Sequence, residues 1–190
     1  MDKELVVVLD SILEEDQGLR RQIKDFQEKF GSDSDEMRAH FKAIAKKDSL
    51  NLLIIRKILD ERGWLGKDII GSDGNMTLFL VIQHADIEVQ KKYLPMMREA
   101  VKKGNAEPSA LALLEDRVAL REGRKQIYGS QVDQDPKTGE YYISPLYDPV
   151  NVDKRRAEVG LGPLQDYVSR WDIKWNVEGY KKEFPELKEN

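Results

Sequence analysis

Met37–Leu59 reads MRAHFKAIAKKDSLNLLIIRKIL, and its apolar residues Met37, Phe41, Ile44, Leu52, Ile55 and Leu59 fall three, four or eight positions apart. That spacing puts all six on one face and predicts an α-helix. One acid interrupts the face. Asp48 lies four residues after Ile44 and four before Leu52, and Asn51, seven after Ile44, falls beside it.

The preceding segment repeats the pattern. Leu5, Leu9, Ile12, Leu19, Ile23, Phe26 and Phe30 form a second helical stripe, again broken once, by Asp16. Gly31-Ser32-Asp33-Ser34 supplies stop and N-cap signals between the two. Two stripes, each with a single aspartate, imply that at least one of these acids is buried. The competing reading is a helix break at Gly18 or at Asp48-Ser49, with the acid acting as a cap.

Further along, Gly63-Trp64-Leu65-Gly66, Gly71 and Asp73-Gly74-Asn75 read as a glycine-punctuated loop. A third helix is expected from about Asn75 and ends on Gln83-His84-Ala85-Asp86. A fourth runs from about Glu88 to Lys103, with Pro95 as a kink or first turn. A fifth runs from about Glu107 to Gly123, with Arg117 inside its stripe of Ala110, Leu113, Leu114 and Leu120. An arginine on such a face needs a partner, and Asp116, Asp16 and Asp48 are the candidates. The period then shortens: QIYGSQV and EYYISPL, joined by DQDPKTG, read as a β-hairpin at about residues 126–146. Two short helices follow, the second with Pro163 in its first turn.

The expected fold is therefore mainly α, an irregular multi-helix domain of about six to eight helices with one inserted β-hairpin. Residues 1–171 read as a single domain and residues 172–190 as a polar tail wrapped loosely over it. The 190 residues suffice for a substantial core.

Composition narrows the chemistry. With no cysteine and two histidines there is no thiol nucleophile, and a zinc site of the usual tetrahedral kind is disfavoured; no cofactor is expected. A magnesium site built on Asp16 and Asp48 is a weaker option. Net charge is −4 with basic residues scattered, which argues against nucleic acid and anionic membranes as partners. No apolar run approaches a membrane span, and MDKELVVVLD carries acids where a signal peptide carries bases. The chain as given reads as cytoplasmic, and a leader removed earlier would leave no trace in it. Neither a phosphate loop, a dinucleotide fingerprint nor a serine-hydrolase elbow around Ser130 is present. His40 falls on an exposed-looking flank and reads as solvated. The Lys154-Arg155-Arg156 run could contact an anion, though a solvated helix face is its plainer reading.

What remains is a set of polar residues on or beside apolar helical faces: Asp16, Asp48, Asn51, Gln83, His84, Asp86, Asp116, Arg117 and Arg121. If the faces pack together, these groups converge in one pocket with a tunable base, an acid to orient it and an arginine for anionic charge. A buried ion-pair network without chemistry has the same ingredients.

Four stretches, RGWLGKDIIG, LVIQHADIEVQKKYLP, LLEDRVALREGRKQIYGSQ and DPVNVDKRRAEVGLGPLQDY, resemble an uncharacterised bacterial family catalogued as domain of unknown function 6624. The likeness covers roughly residues 10–170 and takes in Asp16-Gln17 with Arg20, and Asp48 with Asn51. The family pattern has Thr where this chain has Ser130, which keeps the hydroxyl, and Pro where it has Leu65. The resemblance implies functional roles for Gln83, His84, Asp86, Gln90, Asp116, Arg117, Gln126, Tyr128, Gln131 and Arg156, and implies no activity.

The expectation is a metal-independent hydrolase or transferase acting on a small polar or anionic substrate. In it, His84 is general acid or base, Asp86 or Asp116 orients it, and Arg117 binds anionic charge. Asp16, Asp48, Asn51, Gln83, Gln126, Tyr128, Gln131 and Arg156 contact the substrate. The alternatives are a ligand-binding or sensing module without chemistry, and a helical interaction protein whose polar groups lock packing.

Overall fold

The computed structural model describes residues 1–184, and the chain falls into two compact units, Met1–Ala106 and the part from Glu107 onward. The protein is mainly α with one two-stranded antiparallel hairpin.

The first unit contains α1 (Lys3–Arg21), α2 (Ile23–Phe30), α3 (Asp35–Arg62), α4 (Lys67–His84) and α5 (Ile87–Lys102). Their ends follow the capping signals. Asp2 caps α1 through Leu5 N, and Ser34 caps α3 through Met37 N. Gly31 and Gly63 end α2 and α3 at φ 87° and 71°, a region glycine enters without strain. The first stripe does not run as one helix: the chain bends at Gln22. The loop expected up to Asn75 is shorter, because a helical turn already starts at Lys67; Gly71 (φ 73°, ψ 173°) breaks it, and the part of α4 that carries His84 starts after this kink. α3 continues through Asp48-Ser49, so Asp48 is not a cap.

α1 and α4 run parallel, locked at three levels. Asp2 N donates to the carbonyl of Ile69, Thr77 Oγ1 to that of Leu9, and Asp16 meets His84. Close approach is possible because Gly74 has no side chain: a Cβ there would lie 3.0 Å from Leu9 Cδ1. From the Leu9–Thr77 level, each helix advances seven residues, about 10.5 Å, to reach Asp16 and His84 respectively. The register of the lower contact thus sets the upper one. Leu9, Ile12, Ile55, Leu78 and Ile82 fill the core of this unit.

The second unit contains α6 (Pro108–Arg121), β1 (Val132–Gln134), β2 (Tyr141–Ile143), α7 (Val152–Glu158), α8 (Leu164–Val168) and α9 (Val177–Glu183). Val132 pairs with Ile143 and Gln134 with Tyr141. The ladder is shorter than the apolar pattern suggested, because between Gln126 and Gln131, whose backbones still bond Pro145, Tyr147 and Ser144, the chain forms a loop held by side chains. Ile143, Leu146, Val152, Leu164, Val168 and Tyr180 make the core here. Tyr180 belongs to the segment expected to wrap loosely, yet it is buried, and its hydroxyl accepts from Leu146 N. The end of that tail, residues 185–190, lies outside the described residues. No described helix is long and apolar enough to cross a membrane.

Candidate functional site

In the first unit, Asp16, Asp48 and His84 come together from α1, α3 and α4, one ligand-capable atom of each lying within 4.8 Å of the others. Asp16 is at the centre. Its side chain is 1% exposed, and Oδ1 meets His84 Nδ1 at 3.0 Å and Arg20 Nη1 at 3.2 Å. Gln17 Nε2 donates to Oδ2 at 2.7 Å. Arg20, one turn after Asp16, also donates from Nη2 to Asp48 Oδ2 at 2.8 Å and so ties the two acids together. Burial alone would raise the pKa of Asp16. The hydrogen bond to His84, the charge of His84 and the Arg20 guanidinium outweigh it and hold this carboxyl below the ordinary range.

The pairing fixes the histidine. With Nδ1 held by Asp16, Nε2 makes no hydrogen bond among the described residues, and the side chain keeps 18% exposure. A carboxylate on Nδ1 favours the tautomer that carries its proton there and leaves Nε2 as the basic nitrogen. The carboxylate that orients His84 is therefore Asp16. Asp86 instead caps α5, accepting from Val89 N at 2.9 Å.

One turn beyond Asp48 on α3, Asn51 is buried, and its Nδ2 has no partner among the described residues; Asp48 Oδ1 is likewise buried without one. An unmet donor and an unmet acceptor on one helix face are costly, about 1–3 kcal/mol each. Gln83 is also buried, and its carbonyl accepts from the Nε2 of Gln90 at 2.8 Å.

In the second unit, Asp116, Arg117, Gln126, Tyr128, Gln131 and Arg156 gather at the loop of residues 126–131, while Arg121 lies exposed in the last turn of α6. Asp116 is fully buried in α6, and its carboxylate accepts from the amides of Ile127 (2.7 Å), Tyr128 (3.0 Å) and Ser130 (2.9 Å). Burial raises its pKa above the ordinary value despite these amides, which pull it down. Gln126 clamps Gln131 from both sides, accepting from its amide and donating to its carbonyl. Arg155 Nε takes the carbonyl of Ile127, Arg156 Nη1 that of Tyr128 and the Tyr167 hydroxyl that of Ser130. Arg156 is 1% exposed, with its guanidinium over the Tyr167 ring, so it is no solvated face residue. Arg117 is half-buried and donates from Nε to Gln131 Oε1 at 3.1 Å, and Gln131 passes a bond on to Ser130 Oγ.

His40 corrects the other histidine reading. It is buried, its Nε2 bonds the carbonyl of Leu19 at 2.8 Å, and its ring stacks on Phe26 at 4.2 Å. It ties α3 to the bend between α1 and α2.

The resemblance takes in Arg20 but gives it no role in the site; its signal is its place one turn after Asp16. Arg155 and Tyr167, which hold the loop of residues 126–131, gave no periodic signal at all.

A family model described as a family of unknown function (DUF6624) matches residues 3–178. No curated protein and no solved structure matches.

Proposed function

The chain belongs to the DUF6624 family, whose function is unknown, and from its geometry we propose that it is an enzyme of acid–base type with His84 as the proton-transferring residue. The carrying observation is the 3.0 Å contact between His84 Nδ1 and buried Asp16, which leaves Nε2 as the unbonded nitrogen on a partly exposed ring. Asp16 is the positioning residue: it fixes the tautomer and stabilises the imidazolium once His84 has taken a proton. Asp48 and Asn51 bind substrate, the former through its unmet acceptor and the latter through its unmet donor. A carboxamide or hydroxyl group, which offers both a donor and an acceptor, suits that pair.

The local charge narrows the substrate. Asp16 and Asp48 contribute two negative charges against the one of Arg20, so a neutral or cationic group is favoured at this centre over an anion. Hydrolysis or group transfer on a small polar substrate fits these groups. The test is a panel of chromogenic esters, carboxamides and phosphoesters with wild type, His84→Gln and Asp16→Asn. Turnover that falls at least a hundredfold in both variants, with a normal melting temperature for His84→Gln, supports the reading. Turnover unchanged in His84→Gln overturns it. Thermal-shift ligands without any turnover would leave a binding module.

A second reading has its own support: the same three side chains place ligand atoms within 4.8 Å of one another, as a divalent cation would need. Arg20 already bridges Asp16 and Asp48, however, and holds the position a metal would take. Melting that rises with millimolar magnesium or manganese, and more so in Arg20→Met, would favour the metal.

A further inference from the structure

The outer face of α3 carries an apolar strip that the rest of the described chain leaves uncovered. Leu50, Leu53 and Ile54 are 47%, 65% and 43% exposed. At 100° per residue they share a face with exposed Lys46, Lys57 and Glu61, opposite the buried Ile44, Asn51 and Ile55. Apolar residues set singly on a surface need no explanation, but a clustered strip on a long helix marks a contact. Neither Lys46 nor Glu61 enters an ion pair among the described residues.

The order of residues says what kind of contact. About the midpoint between Leu53 and Ile54, Lys46 lies seven before Leu53 and Glu61 seven after Ile54; Leu50 lies three before and Lys57 three after. Opposite charges equidistant from an apolar centre are self-complementary about a twofold axis, since each copy then presents to the other the complement of what it receives. A different protein would bring its own charges and would ask for no such symmetry.

We propose that α3 pairs antiparallel with α3 of a second copy of this chain, the axis passing between Leu53 and Ile54. Leu53 then packs on the partner's Ile54, Leu50 on the methylene stem of the partner's Lys57, and Lys46 pairs with the partner's Glu61, each contact occurring twice. The strip from Lys46 to Glu61 is about 22 Å long. Asp48 and Asn51 face the other way, so pairing leaves the His84 centre open.

Sedimentation equilibrium on the full chain, from micromolar to millimolar concentration, tests this. The expected result is a monomer–dimer equilibrium that Leu53→Glu abolishes with an unchanged far-ultraviolet circular dichroism spectrum. Lys46→Glu weakens the dimer roughly fivefold, as two exposed pairs lost and made repulsive should do, and Lys46→Glu with Glu61→Lys restores it. A monomer throughout, a dimer indifferent to Leu53→Glu, or a double variant no tighter than Lys46→Glu alone overturns the proposal.

Discussion

His84 Nδ1 meets Asp16 Oδ1 across 68 residues of sequence, the same offset at which Thr77 Oγ1 meets the carbonyl of Leu9. The dyad is therefore the upper rung of a ladder whose lower rung depends on Gly74. Gly74→Val should force Leu9 and Ile70 away from the new side chain, which Gly74→Ala would already crowd at 3.0 and 3.1 Å. The expected cost for Val is about 1–3 kcal/mol of stability, and displacement at the rung above. Chemical denaturation measures the first, and the histidine side-chain NMR signal of His84 the second. An unmoved signal would show that the lower rung does not set the upper.

Replacing Asp16 by Ala removes the partner of His84 Nδ1 and one of the two carboxylates on Arg20, which keeps Asp48. A loss of about 1–3 kcal/mol is expected from the buried hydrogen bonds given up, against less than about 1 kcal/mol for the exposed Lys102–Glu99 pair. Urea unfolding of the two variants beside wild type gives the comparison.

The acid limb of stability should report Asp16. Its folded pKa lies below 3.8, the value of a free side chain, so the folded state binds its proton less tightly than the unfolded chain does. The stabilisation is then complete above about pH 4 and lost as pH falls through the lower folded value. Asp16→Asn should have a flatter dependence of unfolding free energy between about pH 4 and pH 2. Parallel curves would place the acid sensitivity elsewhere.

Asn51→Leu separates binding from packing. It replaces a buried amide nitrogen that has no partner by a side chain of nearly the same shape. The ligand-free protein should gain about 1–2 kcal/mol, while turnover or ligand affinity falls. A destabilised variant would mean that the Asn51 amide serves packing and not substrate.

Asp116→Asn should destabilise by about 1–3 kcal/mol, because the new amide nitrogen is a donor among the donors Ile127 N, Tyr128 N and Ser130 N. Hydrogen exchange at those three amides should rise with it. Unchanged protection would show that the loop holds without the carboxylate.

Periodicity made α1, α3, α5 and α6 legible, and the single acids breaking the stripes of α1 and α3 marked two residues that do meet, Asp16 and Asp48. Asn51 lies one turn beyond Asp48 on the same helix and is buried. Periodicity could not find the partner of His84, because which of several aspartates reaches a ring depends on helix pairing, and that rests on the contact of Gly74 with Leu9. Asp86 was misread for a plainer reason: an acid just before a helix is a cap, and its side chain is spent on Val89 N. The stripe of α6 was also off by a residue, since Asp116 is buried and Arg117 half-buried. The segment of residues 126–131 looked like a strand because its residues are β-branched and aromatic. Most of its backbone groups go instead to Asp116, Gln126, Arg155, Arg156 and Tyr167, and no periodicity gives away Gln126, Arg155 or Tyr167.

That last segment reverses the usual equation of irregular chain with loose chain. Between its ends the amides go to a carboxylate and the carbonyls to two guanidinium groups and a phenol, while Gln126 and Gln131 also bond the backbone of Pro145, Tyr147 and Ser144. Its middle keeps its shape through side chains, with backbone pairing only at its two ends. Within the second unit it should be among the last stretches to let in deuterium, a coil with the stiffness of a keystone.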